Sequence, residues 1–357
     1  MALLKTDILN SQQPKTKVAV VILNWNGRKF LEKFLPSVVE YSVGAEIIIA
    51  DNDSSDDSVA FLKSNYPELR IIINNENGGY AKGYNDALKE VEAEYYVLLN
   101  SDIEVTPNWV MPVIEVMDAD HSISAAQPKL LSYYQKDEFE YAGAAGGFID
   151  KYGYPFCQGR IFGRLEKDLG QYDEVKEIFW ASGAAMFVRA EKYWEIGGLD
   201  DDFFAHMEEI DLCWRMKNAG YKIMYVPTSK IYHVGGGTLP KGSARKTYLN
   251  FRNNFSLLYK NLPKNRVVKT FIARLVLDGV AAARFLTEGN IGDSVAVFKA
   301  HMYFYAHLSS LRKKRKANQQ HNVSMVYQSN LVFDHFMFRK SKFTELDQNK
   351  FCKGDLS

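Results

Sequence analysis

From Lys17 to about Leu99, short runs of aliphatic and β-branched residues alternate with segments whose apolar positions recur every three or four residues. That rhythm is the mark of βαβ units and a parallel sheet. It predicts strands over 18–23, 46–50, 69–73 and 95–99, and helices over 29–41, 55–65 and 80–91, the second capped by Asp53, Ser54 and Ser55. After Pro107 the pattern loosens into a helix over 108–118, a strand over 124–129 and a Gly- and Tyr-rich stretch over 141–163, expected as loops and short strands on the ligand side of the sheet. A strand over 178–189, a helix over 208–219 and a strand over 222–226 follow. Beyond Lys260 the chain reads as helices with basic residues set among apolar ones, and the polar stretch over 319–357 is expected to be loosely attached. The expected organisation is an N-terminal tail (1–16), an α/β domain (17–260), a C-terminal amphipathic helical region (261–318) and a polar C-terminal tail (319–357).

Charge and composition narrow the partners. Lys and Arg total 44 against 43 Asp and Glu, so no global field favours nucleic acid. Cys157, Cys213 and Cys352 are odd in number and scattered, which suits a reducing compartment, with the cytoplasm as the default. The first 17 residues hold no secretory core and no 18-residue uncharged apolar window occurs, so no membrane span is expected. The basic run over 312–316 follows an aromatic stretch with Tyr303, Phe304 and Tyr305. Such a pair can hold a chain to an anionic membrane surface, each cation adding roughly 1 kcal/mol. A solvated helix end, or helices that pair two chains as a homodimer, fit the same residues.

The chemistry-bearing residues lie where strands end. The first strand runs into Asn24-Trp25-Asn26-Gly27, the second into Asp51-Asn52-Asp53-Ser54, and the third turn reads Asn77-Gly78-Gly79-Tyr80-Ala81-Lys82-Gly83-Tyr84-Asn85. Turns at one edge of a parallel sheet converge on one crevice, although Asn, Asp, Ser and Gly are also what plain capping loops use. The glycines follow neither the dinucleotide spacing nor the P-loop ending. Asn100-Ser101-Asp102 closes the fourth strand with an acid placed to hold a divalent cation on a diphosphate, or to cap the helix after it. Glu208 and Glu209 open a helix, where carboxylates also suit the macrodipole, and Asp211 and Arg215 are spaced to pair on one helix face.

The order of these motifs, together with Ser182-Gly183-Ala184, the stretch from Glu208 to Arg215 and His233, resembles glycosyltransferase family 2, inverting enzymes of GT-A fold, in its rhamnosyltransferase-like branch. The resemblance covers about 17–260. It implies a Rossmann-like α/β fold, a mostly parallel central sheet flanked by helices, here with a C-terminal helical extension. It further implies a dTDP- or UDP-sugar donor bound by Asn24, Asn26, Asp51, Asn52, Asp53, Asn77, Gly79, Lys82, Asn85, Asn100 and Ser101, and a glycan or lipid-linked acceptor.

On the same resemblance, Asp102 and His233 hold Mg²⁺ or Mn²⁺, and Glu209, or else Glu208, takes the acceptor proton. Trp180, Ser182, Gly183 and Ala184 lie on the acceptor side, and Trp25 and Trp180 offer stacking faces. Two departures stand out: Asn100 replaces the first Asp of the family's Asp-x-Asp, and Glu209 replaces the usual Asp of its Glu-Asp pair. The expected activity is metal-dependent transfer of a sugar such as rhamnose in cell-surface polysaccharide synthesis, with the chain at the inner face of the cell membrane. A sugar nucleotidyltransferase, or a binding protein on the same scaffold, stays open at this point.

Overall fold

The structure, a computed structural model, describes residues 16–235 and 243–355. Most of the expected N-terminal tail therefore lies outside the described residues. The first half follows the predicted alternation: β1 (Thr16–Asn24), α1 (Arg28–Tyr41), β2 (Glu46–Asp51), α2 (Ser58–Asn65), β3 (Arg70–Ile73), α3 (Gly79–Leu88) and β4 (Ala93–Asn100). These four strands are parallel, and Asn24 lies in register with Asp51, so their polar tips share one edge. Helix α2 begins three residues later than predicted. Asp57 takes the N-cap position, and Ser54 and Ser55 lie before it in a loop whose backbone N–H groups donate to Asp51 Oδ1 and Asn26 Oδ1, closing the strand-end loops on each other.

Next come β5 (Ile103–Val105), α4 (Met111–Ala119), β6 (Ile123–Ser132), β7 (Gly147–Asp150), β8 (Pro155–Cys157), β9 (Arg160–Ile161), β10 (Arg164–Leu165), β11 (Lys176–Ile178), β12 (Ala185–Arg189), α5 (Ala190–Glu195), α6 (Glu208–Asn218) and β13 (Lys222–His233). Among the described residues they complete a nine-stranded sheet, ordered β11-β13-β6-β12-β4-β1-β2-β3 with β5 on β13, and contribute four strands to a smaller sheet. Two strand predictions need correction. The strand expected over 178–189 is cut at 179–184, where Ser182 N donates to Gln127 Oε1 at 2.8 Å and Ser182 Oγ to the Ala142 carbonyl, pulling the backbone off the sheet. The strand expected to stop at Val226 continues to His233 across a register shift that absorbs Pro227.

The C-terminal part holds α7 (Ala244–Asn261), α8 (Lys264–Thr287), α9 (Ile291–Ala306), α10 (Leu308–Ala317), β14 (Val326–Tyr327) and α11 (Leu331–Phe336). Residues expected to be loosely attached are instead docked. β14 joins the small sheet beside β7, and Phe343 and Phe351 pack on Phe148 and Phe156. Aromatic side chains scattered through a polar stretch supply the burial that its average composition hides.

Helix α6 is fixed to α7 through one carboxylate. Fully buried Asp211 accepts from Arg215 Nε and Lys260 Nζ at 2.8 Å each, and from Asn261 Nδ2 at 2.8 Å. Arg215, paired with Asp211 as predicted, also donates to the carbonyls of Ile196 and Gly198 at 2.8 and 2.7 Å. Although burial opposes ionisation, the two cations hold the Asp211 carboxyl below its ordinary value. Replacing Asp211 by Ala leaves buried Arg215 without its carboxylate and Lys260 with Asp200 alone, so urea denaturation should show a loss of about 3–5 kcal/mol; a loss under about 1 kcal/mol would remove this tie from the account of the fold.

Candidate active site

The strand tips build the first wall of the site. Buried Asn24 donates its amide to Asp51 Oδ2 at 3.0 Å and to Ser54 Oγ at 3.2 Å. That leaves Asn24 Oδ1 buried with no hydrogen-bond partner among the described residues. Gly27 keeps the space above it open, since a Cβ there would stand 2.3 Å from that oxygen. An unmet buried acceptor costs about 1–3 kcal/mol, which a ligand N–H would recover. Below it, Asn52 donates to Asn77 Oδ1 at 3.0 Å and to the Gly79 carbonyl at 3.1 Å, and Asn74 donates to Asn52 Oδ1 at 3.0 Å. Gly79 has φ of 80°, and a Cβ on it would meet the Phe204 carbonyl at 2.4 Å, so no other residue fits this helix start.

The second wall is set by strand register. β5 pairs antiparallel with β13 so that His233 lies opposite Ile103, which puts the adjoining Asp102 beside the imidazole. His233 Nε2 stands 3.2 Å from Asp102 Oδ1, and its Nδ1 stands 3.3 Å from Glu140 Oε1; all three side chains are buried. Burial alone would lower the imidazole's pKa, yet the carboxylates of Glu140 and Asp102 raise it to about 10. Asp102 does not cap a helix, because β5 follows it directly.

Among the described residues no three His, Cys, Asp or Glu side chains are grouped to enclose a cation. Asp102 and His233 nevertheless fit Mg²⁺ or Mn²⁺ completed by a diphosphate, since such ions take one or two side chains and draw the rest from phosphate and water. Their two facing atoms are close enough to share an ion, and Glu140 sits where a carboxylate orients a ligating imidazole.

The start of α6 carries a second pair of carboxylates. Glu208 is buried and Glu209 half-buried, and one carboxylate oxygen of each lacks a partner among the described residues. Burial pushes the Glu209 carboxyl up to about 7, against the pull of the backbone amides at the helix start. Burial, and then its neighbour Glu209, hold the Glu208 carboxyl well above the ordinary carboxylate range. Ser182, Gly183 and Ala184 bridge the two walls. Asn100 N donates to the Ala184 carbonyl at 2.9 Å, Tyr80 Oη donates to the Gly183 carbonyl at 2.6 Å, and a Cβ on Gly183 would lie 3.7 Å from that of Glu209.

The turn before α6 is strained. Phe204, His206 and Met207 have φ of 62°, 71° and 73°, a region that costs a non-glycine residue roughly 1–2 kcal/mol. Two α7 side chains hold it. Asn253 Nδ2 donates to the carbonyls of Phe203, Ala205 and His206 at 2.7–3.0 Å, and Arg252 Nη2 to those of Asp202 and Phe203 at 2.9 and 2.8 Å. Hydrogen bonds at about 0.5–1.5 kcal/mol each, more from a cation, match the strain in scale.

Some expected residues stand apart. Asn85 spends its amide on Leu199, Asp201 and Tyr193, joining α3 to the following turn. Trp180 is buried against Gly147 with its N–H on the Phe148 carbonyl, so it offers no stacking face, while Trp25 is 45% exposed. Lys82 is tied to Glu76 and Asp86, and Asp53 projects to solvent. Ser101 lies beside Gly27 at the strand-tip edge. Glu140, Tyr80, Arg252 and Asn253 were not singled out from the sequence; Glu140 lies in the irregular Gly- and Tyr-rich region, and the α7 pair looks like ordinary polar helix surface.

The profile described as Glycosyl transferase family 2 matches residues 19–197. An N-acetylglucosaminyl-diphospho-decaprenol L-rhamnosyltransferase of Mycobacterium tuberculosis (strain ATCC 25618 / H37Rv) is 23% identical over 233 residues, 60% of this chain and 75% of the relative. Rhamnosyltransferase WbbL of Escherichia coli (strain K12) is 23% identical over 228 residues, 60% and 83% of the two chains. A crystal structure of GalNAc-T7 with UDP, GalNAc and Mn²⁺ aligns with TM-score 0.55 at 15% identity, over 84% of this chain and 58% of that one, which bears on the fold alone.

Asn253→Ala would leave the strained turn with half of its clamp. Hydrogen exchange over 203–208 should then accelerate at least tenfold, with stability lower by about 1–3 kcal/mol; unchanged exchange there would show that the turn holds itself.

Proposed function

Because the chain belongs to Glycosyl transferase family 2 and is a glycosyltransferase, we propose that it transfers a sugar, rhamnose being the leading candidate, from a nucleoside diphosphate to a hydroxyl of a glycan on a lipid diphosphate, with inversion. The observation that carries this reading is that residues 182–184 link two acidic groups: their backbone pairs with Asn100, two residues before the Asp102 that meets His233, and Gly183 lies beside Glu209, which like Glu208 keeps one carboxylate oxygen unpartnered among the described residues.

Asn24 Oδ1 is the acceptor left for the imide N–H of a pyrimidine, thymine or uracil. Asn52, Asn77 and Gly79 shape the turn beneath the donor, and Asn100 and Ser101 lie at its edge. Asp102 and His233 would hold the divalent ion, with Glu140 fixing the imidazole; a bound Mg²⁺ or Mn²⁺ offsets the charge that builds on the departing diphosphate. Glu209 takes the proton from the attacking hydroxyl. With a pKa of about 7 it is matched to a general base near neutrality, and Glu208 beside it favours the protonated partner of the pair. One displacement needs no adduct between sugar and protein.

Among the described residues no helix is long and apolar enough to cross a membrane. A lipid-linked acceptor is instead met at the membrane surface, by a helix that is inside out. α8 buries Thr270, Arg274 and Asp278 while Val268, Ile272, Val276 and Val280 are all at least 60% exposed. Arg274 pairs inward with Asp278 at 3.0 Å, which His301 also contacts at 3.1 Å, so the polar side is the fixed one.

Three outcomes test the reading. Glu209→Gln should lower turnover by at least about a thousandfold while donor affinity stays within about twofold, since only the proton acceptor is removed. The acid limb of kcat/KM should fall near pH 7, because Glu209 must be ionised to act and protonates as pH drops through that value; a limb near 4.5 would remove it as the base. Chelation with EDTA should abolish donor binding and Mn²⁺ restore it, and His233→Ala should weaken Mn²⁺ affinity about 10–100-fold by calorimetry; donor binding indifferent to both would discard the ion.

A further inference from the structure

Outside the site just described, a groove of about 650 Å³ lies between the start of α7 and α9. Its walls are Ala244, Gly292, Val295, Ala296, Met302 and Ala306, with Tyr248 and Tyr303 aromatic and Arg245 and Lys299 as its cations; no acidic residue lines it. Apolar walls with two cations and no anion fit an amphiphile that carries negative charge at one point.

The groove joins two features already described. At one end Arg245 lies over the Phe204 ring at 5.3 Å, and Phe204 is the strained residue whose carbonyl accepts from Tyr80 N at 2.6 Å. Tyr303 carries Arg252 at 5.1 Å, the guanidinium that clamps the same turn. Val295 and Met302 are each 44% exposed and stand among the exposed apolar side chains of α9, with Ile291 and Phe298. A ligand lying here has Arg245, and through it the Phe204 turn that opens α6, on one side, and the exposed apolar side chains of α9 beside it.

We propose that this groove seats the acceptor's lipid diphosphate, Arg245 and Lys299 taking the diphosphate and the apolar side chains set between and beside them, Val295, Ala296 and Met302, the first isoprenoid units. The inference rests on the lipid-linked acceptor proposed above and adds its location. It explains why the apolar surface lies on α8 and α9: the helices that meet the membrane are those that receive the chain drawn from it. It also couples acceptor binding to the base, since a diphosphate at Arg245 bears on Phe204 and through it on the Glu208–Glu209 helix start.

The test is titration of the full chain with farnesyl diphosphate, kept below its critical micelle concentration, by calorimetry with UDP and Mn²⁺ in excess so that the donor site is filled. Farnesyl diphosphate should bind once per chain, at least about tenfold tighter than farnesol or inorganic diphosphate alone. The Arg245→Glu, Lys299→Glu double variant and Met302→Asp should each weaken it about tenfold or more, with melting temperature and UDP affinity unchanged. If the charge reversal unfolds the chain, Arg245→Gln with Lys299→Gln should still weaken binding several-fold.

Unaltered affinity in the folded variants, affinity for inorganic diphosphate equal to that for farnesyl diphosphate, or displacement of the probe by phosphatidylglycerol vesicles would each overturn the assignment. Turnover of a nucleotide sugar with no farnesyl diphosphate binding would sink the groove and leave the transferase standing. Intact farnesyl diphosphate binding in a chain that neither binds nor turns over any nucleotide sugar would do the reverse.

Discussion

The buried carboxylate of Asp211 is the tie on which the acidic side of the site depends. Two cations and one amide meet it, drawn from its own helix and from the end of α7. Through Arg215 the same carboxylate reaches the turn over 196–198, and Lys260 adds Asp200. The start of α6 is therefore fixed from its own first turn. This is what allows Glu208 and Glu209, three and two residues earlier, to keep one carboxylate oxygen each without a partner: the cost of their desolvation is borne by a helix anchored elsewhere.

The two sides of the site are built on opposite physical plans. The Asp102 side is relaxed: strand register sets the positions, each charged group meets an opposite one, and the Asp102 carboxyl is held below its ordinary value despite burial because His233 faces it. The Glu209 side is strained and unpaired, with successive left-handed residues and two carboxyls pushed toward neutrality. A group that holds charge through a reaction needs the first setting, and one that gains a proton during it needs the second. The proposed roles rest on these different environments more than on residue identity, which bears on Glu209 standing where the family usually has Asp. Its longer side chain is accommodated beside Gly183, the one position of the 182–184 bridge without a side chain.

The C-terminal helices complete the enzyme instead of trailing from it. α7 supplies the clamp on the strained turn and the cations on Asp211, and α9 packs along α7 with Phe304 against Phe255. Helix α8 turns its charges inward to Tyr154, Asn254 and His301, which frees an apolar stripe that a helix of a compact water-soluble domain would bury. Support for the strained turn and the exposed apolar stripe thus lie on different helices of one helical layer.

The alternation of β-branched runs and amphipathic segments fixed the parallel half of the sheet from the sequence alone, to within a few residues at each element, because that signal is local and periodic. The strand-tip motifs were legible for the same reason, as was the Asp211–Arg215 pair, whose spacing is a helical turn. What only the tertiary structure decided depends on partners distant in the chain. Asn85 and Trp180 looked like ligand residues and are saturated by neighbours that no local pattern announces. The polar tail is held by a few aromatic contacts that average composition conceals. Glu140 reaches His233, and Asn253 reaches the strained turn, only because β6 pairs with β13 and α7 crosses α6. Periodicity reports which face of an element is buried, but which other face it is buried against is set by the packing of the whole chain, and at this site that packing assigns the chemistry.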